Sequence, residues 1–298
     1  MDHVGVLGLG RMGFPIARRL LHGGVPVTVF DLEPDLMAAI QEEGADVAGD
    51  ARELAAQIEV LLTVLPGPGE LRETLLGSGG ALKVMRPGSV WLDLTSSDPR
   101  TAAAAAEEAH NQGVACVGAP MIGNPVNAVA GTLGFYIGGT PDAVDRVLPL
   151  LAMIGDPGRF LALGADVTAG YTTKLLANTL WFGQAVAVTE VLLLGQELGL
   201  DLHTLRVALQ TGPSGSTFIT EHLGSLLEGD YLTTFGIDRV VEELDTVTSL
   251  AAAAGTPSDL MLLVAGLHHE ALQKFGPVDG ELLAAKLLEG RAGRTLRA

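Results

Sequence analysis

Val4-Gly5-Val6-Leu7-Gly8-Leu9-Gly10-Arg11-Met12-Gly13 places an apolar run directly before a Gly-x-Gly-x-x-Gly turn. Residues 14–21 then read as a helix, and a second apolar run over 26–30 closes on Asp31. A glycine-rich turn alone is common. Strand, turn, helix and second strand in this order form the fingerprint of a dinucleotide-binding βαβ unit. Gly8 allows the tight turn, Gly10 lets the backbone approach a pyrophosphate, and Gly13 lets the helix pack close to the sheet. With Leu9, Arg11 and Met12 they are the candidate phosphate loop, set at a helix N-terminus whose dipole favours negative charge.

Asp31 narrows the cofactor. A carboxylate ending the second strand, about 20 residues past the glycines, can accept hydrogen bonds from ribose hydroxyls. It would repel the extra phosphate of NADP, as would Glu33, and Leu32-Glu33-Pro34 offers no Arg or Lys to hold that phosphate. NAD is therefore predicted over NADP, the alternative for Asp31 being a solvated carboxylate at a strand end.

The 298 residues suit two domains or one large one. Apolar residues make up 48%, charged ones 18% and aromatics only 4%, with mean hydropathy +0.36, so Ala, Leu, Val and Gly must fill a globular core. A net charge of −17 opposes nucleic-acid and anionic-membrane partners, both of which demand a basic face. Cys116 is the single cysteine, which excludes an intrachain disulfide; within the strand-like run 114–117 it reads as a buried small hydrophobe. The most apolar stretches, 186–194 and 260–267, are too short or interrupted to span a bilayer. No signal peptide is expected, because the first strand starts almost at once, and a cytoplasmic location is predicted.

Strand-like runs recur at 60–65, 89–94, 114–117 and 134–137, with helical stretches between them at 35–43, 51–57 and 101–112. Turn signals stand at 66–69, 87–88 and 156–158. This alternation predicts a parallel sheet with crossover helices. Beyond about residue 164 the pattern changes. Residues 166–198 lack proline and repeat apolar residues at three and four, which predicts one long helix. Helical segments follow at 202–210, 216–227, 237–254, 258–274 and 280–288, with Ser214 or Ser216 as an N-cap. The expected architecture is α/β: a doubly wound N-terminal domain over 1–163, then an all-α domain over 164–298 that begins with the long helix.

Gly170, Lys174 and Asn178 recur at intervals of four and so share one face of that helix. Oxidising a hydroxyl by hydride transfer needs a group that takes the hydroxyl proton and a donor that steadies the oxygen. A lysine in a partly desolvated cleft can serve as the acid or base, and an asparagine amide can orient the substrate. The same residues would also suit an exposed helix face. Trp181 and Phe182, near the same face, read either as inter-helix packing or as a bulkier, less polar pocket. The seven histidines show no metal spacing, and no metal is predicted.

These segments together resemble the β-hydroxyacid dehydrogenase family, which includes 3-hydroxyisobutyrate dehydrogenases and tartronate semialdehyde reductases. Gly8-Leu9-Gly10-Arg11-Met12-Gly13-Phe14-Pro15-Ile16-Ala17 is similar to its N-terminal signature, and Gly170-Tyr171-Thr172-Thr173-Lys174-Leu175-Leu176-Ala177-Asn178 to its catalytic helix. Gly118-Ala119-Pro120-Met121-Ile122-Gly123-Asn124, followed by Ala130-Gly131-Thr132-Leu133, matches its substrate loop in part. Leu65-Pro66 and Asp93-Leu94-Thr95-Ser96 resemble its cofactor-side loops. The resemblance implies a Rossmann-type N-terminal domain, Lys174 as general acid/base and Asn178 as its substrate-orienting partner. It also implies Leu65, Pro66, Thr95 and Ser96 at the cofactor, with Met121, Ile122, Gly123, Asn124 and Gly170 at a small-molecule substrate. The all-α domain would build homodimers or homotetramers.

The chain departs from the family pattern at Gly118, where an Asp is usual, at Ile122, where a Ser holds the substrate carboxylate, and at Asn124, where a Gly is usual. The family's Lys-Asp-Leu stands here as Glu242-Glu243-Leu244. Arg239, one turn earlier, is either a substitute cation or a surface charge. An NAD-dependent dehydrogenase of a β-hydroxy acid or related alcohol is the expected function. A reductase of imines is the alternative within redox chemistry, opposed by Lys174, which imine reductases generally replace. A silent dinucleotide-binding assembly module is the alternative of another class, and loss of the lysine would mark it.

Overall fold

Strands that are apolar at successive residues, rather than at alternate ones, belong in a sheet covered on both faces. In the structure, a computed structural model that describes residues 2–298, such runs form β1 (Val4–Leu7), β2 (Val27–Phe30), β4 (Val60–Thr63), β5 (Val90–Asp93) and β6 (Ala115–Gly118). A two-residue edge strand, β3 (Asp46–Val47), joins them. Their order is β3-β2-β1-β4-β5-β6, all parallel. β1 and β4 lie side by side, pairing Val4 with Val60 through Leu7 with Thr63. The chain winds outward in opposite directions from this pair, which makes the carboxyl ends of β1 and β4 the topological switch point where such sheets take ligands. Beyond β6 the sheet continues through β8 (Leu133–Gly139), antiparallel to β6 and to β7 (Met121–Ile122), and parallel to β9 (Gly155–Ala162).

The crossover helices are α1 (Gly13–His22), α2 (Pro34–Glu42), α3 (Ala51–Gln57), α4 (Pro68–Leu76), α5 (Pro99–Asn111), α6 (Pro125–Ala130) and α7 (Pro141–Ile154). Val4, Val6, Leu62 and Leu92 meet Ile16 and Leu20 of α1 and Val147 and Leu151 of α7 in one core. Leu7, Leu61 and Trp91 meet Leu54 of α3, Leu71 of α4 and Ala105 of α5 in another. The sheet is thus covered on both sides, as its sequence demands.

The chain divides into two compact units, one ending at Lys174 and the other spanning Leu175–Ala298. The cut falls within α8 (Thr168–Glu197), a single helix of 30 residues. The second unit continues with α9 (Leu202–Thr211), α10 (Leu223–Glu228), α11 (Ile237–Ala254), α12 (Asp259–Phe275) and α13 (Leu283–Ala292). Among the described residues α8 is the one helix long and apolar enough by composition to cross a membrane. Part of its apolar surface joins protein cores: Phe182 packs with Ile237, Val240 and Leu244, and Leu192 with Phe218 and Leu223.

Three local expectations are corrected. Residues 156–158, read as a turn, lie inside β9; Asp156 Oδ1 accepts the Gly158 amide at 2.9 Å, and the pairing register shifts there, so the turn residues form a bulge on a strand that needs no hydrogen bond from Pro157. Residues 66–69, also read as a turn, run into α4, whose first residue is Pro68, a position that suits proline. Residues 216–227 do not form one helix: a π-turn over Phe218–His222 precedes α10, and Ser216 Oγ accepts the Ile219 amide at 3.4 Å while the Ser214 hydroxyl donates to the Leu209 carbonyl.

Candidate functional site

All the loops with cofactor-type sequences emerge at one edge of the sheet. Gly8–Gly13 follows β1, Asp31 follows β2, Leu65 and Pro66 follow β4, and Thr95 and Ser96 follow β5. Parallel strands put these four carboxyl ends side by side. The glycines differ in what they do. Gly8 has φ +99°, and a Cβ there would collide with the Val64 carbonyl oxygen. A Cβ on Gly13 would collide with the Gly8 carbonyl oxygen, so both are fixed by the protein's own packing. A Cβ on Gly10 would meet nothing within 4 Å. Its missing side chain leaves open space at the N-terminus of α1, the clearance a pyrophosphate needs.

Asp31 stands at the end of β2 with both carboxylate oxygens turned into the turn. Oδ2 accepts the Leu9 amide at 2.5 Å and Oδ1 the Glu33 amide at 2.9 Å. It therefore braces the glycine loop against the second strand, besides placing negative charge where an adenosine ribose would lie. Thr95 Oγ1 accepts the Leu65 amide at 3.1 Å and ties the loops after β4 and β5 together. Glycine clearance, helix N-terminus and strand-end carboxylate together fit a dinucleotide; Gly8–Gly13 would hold its phosphates and Asp31 its ribose.

The candidate substrate loop, residues 118–124, starts beside the first turn of α8. Gly170 is buried, and a Cβ on it would collide with the Tyr136 carbonyl and stand 3.1 Å from both the Gly118 carbonyl oxygen and Pro120 Cδ. From Pro120 the chain runs into β7, where Met121 and Ile122 are half-buried and pair with Phe135 and Gly134. Gly123 has φ +131° and packs against Asn127. Asn124 is a helix cap: its Oδ1 accepts the Val126 and Asn127 amides, and Asn127 Oδ1 accepts the Asn124 amide at 3.0 Å. That carboxamide oxygen serves α6.

Lys174 is half-buried on α8, one turn after Gly170. Asn178 follows one turn later, in the helical unit, where its Nδ2 donates to Glu243 Oε2 of α11 at 2.7 Å. Glu243 is only 8% exposed, so the position carries a buried carboxylate. Arg239 is a partner of Glu242 at 3.0 Å, with Asp238 at 4.0 Å, and so holds acidic neighbours on its own helix. Phe182 is buried, and Trp181 packs edge-on against Phe218 and His222, which makes the aromatic pair part of the helical core. Cys116 is half-buried, and burial pushes its thiol up to about 12.

Two buried polar residues at the same sheet edge were not singled out from the sequence. Asp93 ends β5 and Tyr171 precedes Lys174 by three residues, and the Tyr171 hydroxyl donates to Asp93 Oδ2 at 2.7 Å. Burial pushes the Asp93 carboxyl up to about 6, against hydrogen bonds from Thr63, Thr95 and Tyr171 that favour its ionised form. Burial and the facing carboxylate push the Tyr171 hydroxyl well above its ordinary value. The available signal was a polar residue, Thr63 or Asp93, ending an otherwise apolar parallel strand.

Residues 3–170 match the NAD binding domain of 6-phosphogluconate dehydrogenase, and residues 168–288 the NAD-binding region of NADP-dependent 3-hydroxyisobutyrate dehydrogenase. The chain is 30% identical to 2-(hydroxymethyl)glutarate dehydrogenase of Eubacterium barkeri over 261 residues, 87% of this chain and 84% of the relative. It is 32% identical to 3-hydroxyisobutyrate dehydrogenase of Pseudomonas aeruginosa over 216 residues, 72% of each chain. Among solved structures it shares its fold with Mycobacterium tuberculosis 3-hydroxyisobutyrate dehydrogenase in complex with L-serine, at TM-score 0.86, 24% identity, and 96% and 99% coverage of the two chains. An imine reductase of Myxococcus stipitatus shares the fold more distantly, at TM-score 0.65, 16% identity, and 96% and 99% coverage. With the two matched regions running in order through most of its length, the chain belongs to the NAD(P)-binding β-hydroxyacid dehydrogenases of the 3-hydroxyisobutyrate dehydrogenase type.

Proposed function

We propose that this chain is an NAD-dependent dehydrogenase of a β-hydroxy acid or a related alcohol, with Lys174 as general acid/base and Asn178 orienting the substrate. The observation that carries the reading is α8. One unbroken helix bears Gly170, Lys174 and Asn178 on one face, and its first turn is seated at Gly170 against the chain that leads into Met121–Asn124. Bound NAD(P) supplies the nicotinamide carbon that takes or gives the hydride. When the alcohol is oxidised, the Lys174 amine accepts the hydroxyl proton; when the carbonyl is reduced, the Lys174 ammonium returns it. Asn178, held by Glu243, keeps the oxygen in line with Lys174. Gly8–Gly13, Leu65, Pro66, Thr95 and Ser96 bind the cofactor, and Asp31 with Glu33 disfavours the phosphate of NADP.

Residues 1–163 act as the dinucleotide domain and 164–298 as the substrate and assembly domain. Exposed Leu176, Leu180, Val191 and Leu194, at helical spacing on α8, with Leu198 just past its end, support a homodimer or homotetramer. A single cysteine, with no intrachain disulfide to form, accords with the cytoplasm. Imine reduction is the second reading, favoured by Ile122 in the substrate loop and by the Glu243 carboxylate at Asn178, both of which weaken the case for a carboxylate substrate. A turnover screen separates the two, using 3-hydroxyisobutyrate, 2-(hydroxymethyl)glutarate, L-serine, simple alcohols and cyclic imines with each cofactor. A dehydrogenase of the proposed kind oxidises at least one β-hydroxy acid and favours NAD over NADP in kcat/KM by about tenfold or more, roughly 1.4 kcal/mol. Reduction of imines with no oxidation of any hydroxy acid hands the site to the second reading.

A further inference from the structure

The start of α8 carries a buried polar pair that dinucleotide binding does not require. Tyr171 is fully buried, and its hydroxyl donates to Asp93 Oδ2 at 2.7 Å. Asp93 is fully buried too, and its Oδ1 accepts the Thr63 hydroxyl at 2.6 Å and the Thr95 amide at 3.1 Å. Thr63 Oγ1 accepts Trp91 Nε1–H at 3.0 Å, and Thr95 Oγ1 accepts the Leu65 amide at 3.1 Å. The Tyr171 ring fits only because residue 118 is glycine: a Cβ there would collide with the ring. One carboxylate thus joins the ends of β4 and β5, the loop at Thr95 and the helix that bears Lys174.

Burying a carboxylate and a phenol is costly unless each finds its hydrogen bonds, and an apolar pair would fill this space without that demand. What the polar pair adds is direction. Tyr171 precedes Lys174 by three residues and lies about 60° from it around the helix axis. A hydroxyl bonded at 2.7 Å to a carboxylate fixed by two further donors allows the first turn of α8 little rotation or slide. We propose that Tyr171 and Asp93 are positioning residues: their bond holds the Lys174 helix in register with the cofactor loop at Thr95 and so sets where the Lys174 amine stands. The catalytic consequence rests on the role proposed above for Lys174; the positional consequence does not.

The test compares the native chain with Tyr171→Phe, Asp93→Asn and the double variant. Tyr171→Phe keeps the ring in place against Gly118 and removes only the hydroxyl. Turnover of 3-hydroxyisobutyrate with NAD is measured beside NADH affinity by fluorescence. Competitive acetic anhydride labelling then reads the setting of Lys174 without any substrate, against Lys83, Lys274 and Lys286, the other lysines of the chain. Each single variant is expected to lower kcat about tenfold or more, with KM and NADH affinity held within about twofold, as for a displaced catalytic group. The double variant loses no more than about twofold beyond the slower single one, since both break one bond. The Lys174 labelling rate shifts about threefold or more while Lys83 holds constant, a change confined to the residue on the pinned helix. Unchanged Lys174 labelling together with kcat within about twofold of native in Tyr171→Phe overturns the proposal. Should the native chain leave 3-hydroxyisobutyrate untouched, labelling alone decides on the pin, and the failure falls on the substrate reading.

Discussion

Gly10 and Gly13 stand three residues apart and answer to different partners. Gly13 is required by the protein itself, whereas Gly10 faces open space and has a backbone any residue can adopt. Gly10→Ala should therefore leave the thermal midpoint of the free protein within about 2 °C and weaken NADH binding about tenfold or more, measured by differential scanning calorimetry and fluorescence titration. Equal NADH affinity in the variant would mean that no phosphate approaches this turn. Asp93 makes a pH-dependent demand. Its folded value, about 6, lies above the ordinary 3.8, so its contribution to stability is full below about 3.8 and is lost as pH rises through about 6. Between pH 4 and pH 7.5 the Asp93→Asn variant should gain on the native chain by about 2 kcal/mol in denaturant unfolding. An unchanged difference across that range would show that Asp93 titrates as an ordinary carboxylate. The glycines and Asp31 were legible in the sequence because each sits at a fixed spacing within one motif. The Asp93–Tyr171 bond was not, because its partners are 78 residues apart and only the fold brings them together.

Elements with a strong period and clear ends were read correctly from the sequence. Residues 51–57 and 237–254 match α3 and α11 end for end, and the proline-free stretch 166–198 contains α8. Among the elements that escaped, α4 begins with Pro68, which reads as part of a turn, and α6 is only six residues long, too short to show a helical period. β9 escaped because a bulge at an edge strand uses the same residues as a turn. On one line along α8 and just past its end, Leu176, Leu180, Val191, Leu194 and Leu198 are between 47% and 71% exposed, and the proposed assembly rests on this apolar surface. If that surface carries the proposed assembly, the native chain is an oligomer in light scattering at micromolar concentration and Leu180→Glu combined with Leu194→Glu turns it into a folded monomer with circular dichroism retained. A native monomer, or an oligomer indifferent to both charges, would place the assembly surface elsewhere.

At the scale of the whole molecule, a sheet whose loops meet at one edge is joined to a helical unit by the helix that carries the candidate chemistry. The fold was legible because period, turn residues and motif order all agree along the chain. The substrate was less so, because the residues that would name it, Ile122, Asn124 and Glu243, are those that depart from the family pattern. In the structure Asn124 caps a helix and Glu243 holds Asn178, so each has a physical task that its position in a motif does not reveal. The central claim is that Lys174 moves the proton. The direct measurement is kcat of Lys174→Ala on the best hydroxy-acid substrate at saturating NAD, beside NADH affinity by fluorescence. The expected result is a fall in kcat of about 10² or more, the usual effect of removing a positioned acid or base, with NADH affinity unchanged within about twofold. Turnover within about threefold of native would contradict the account and place the proton with another group.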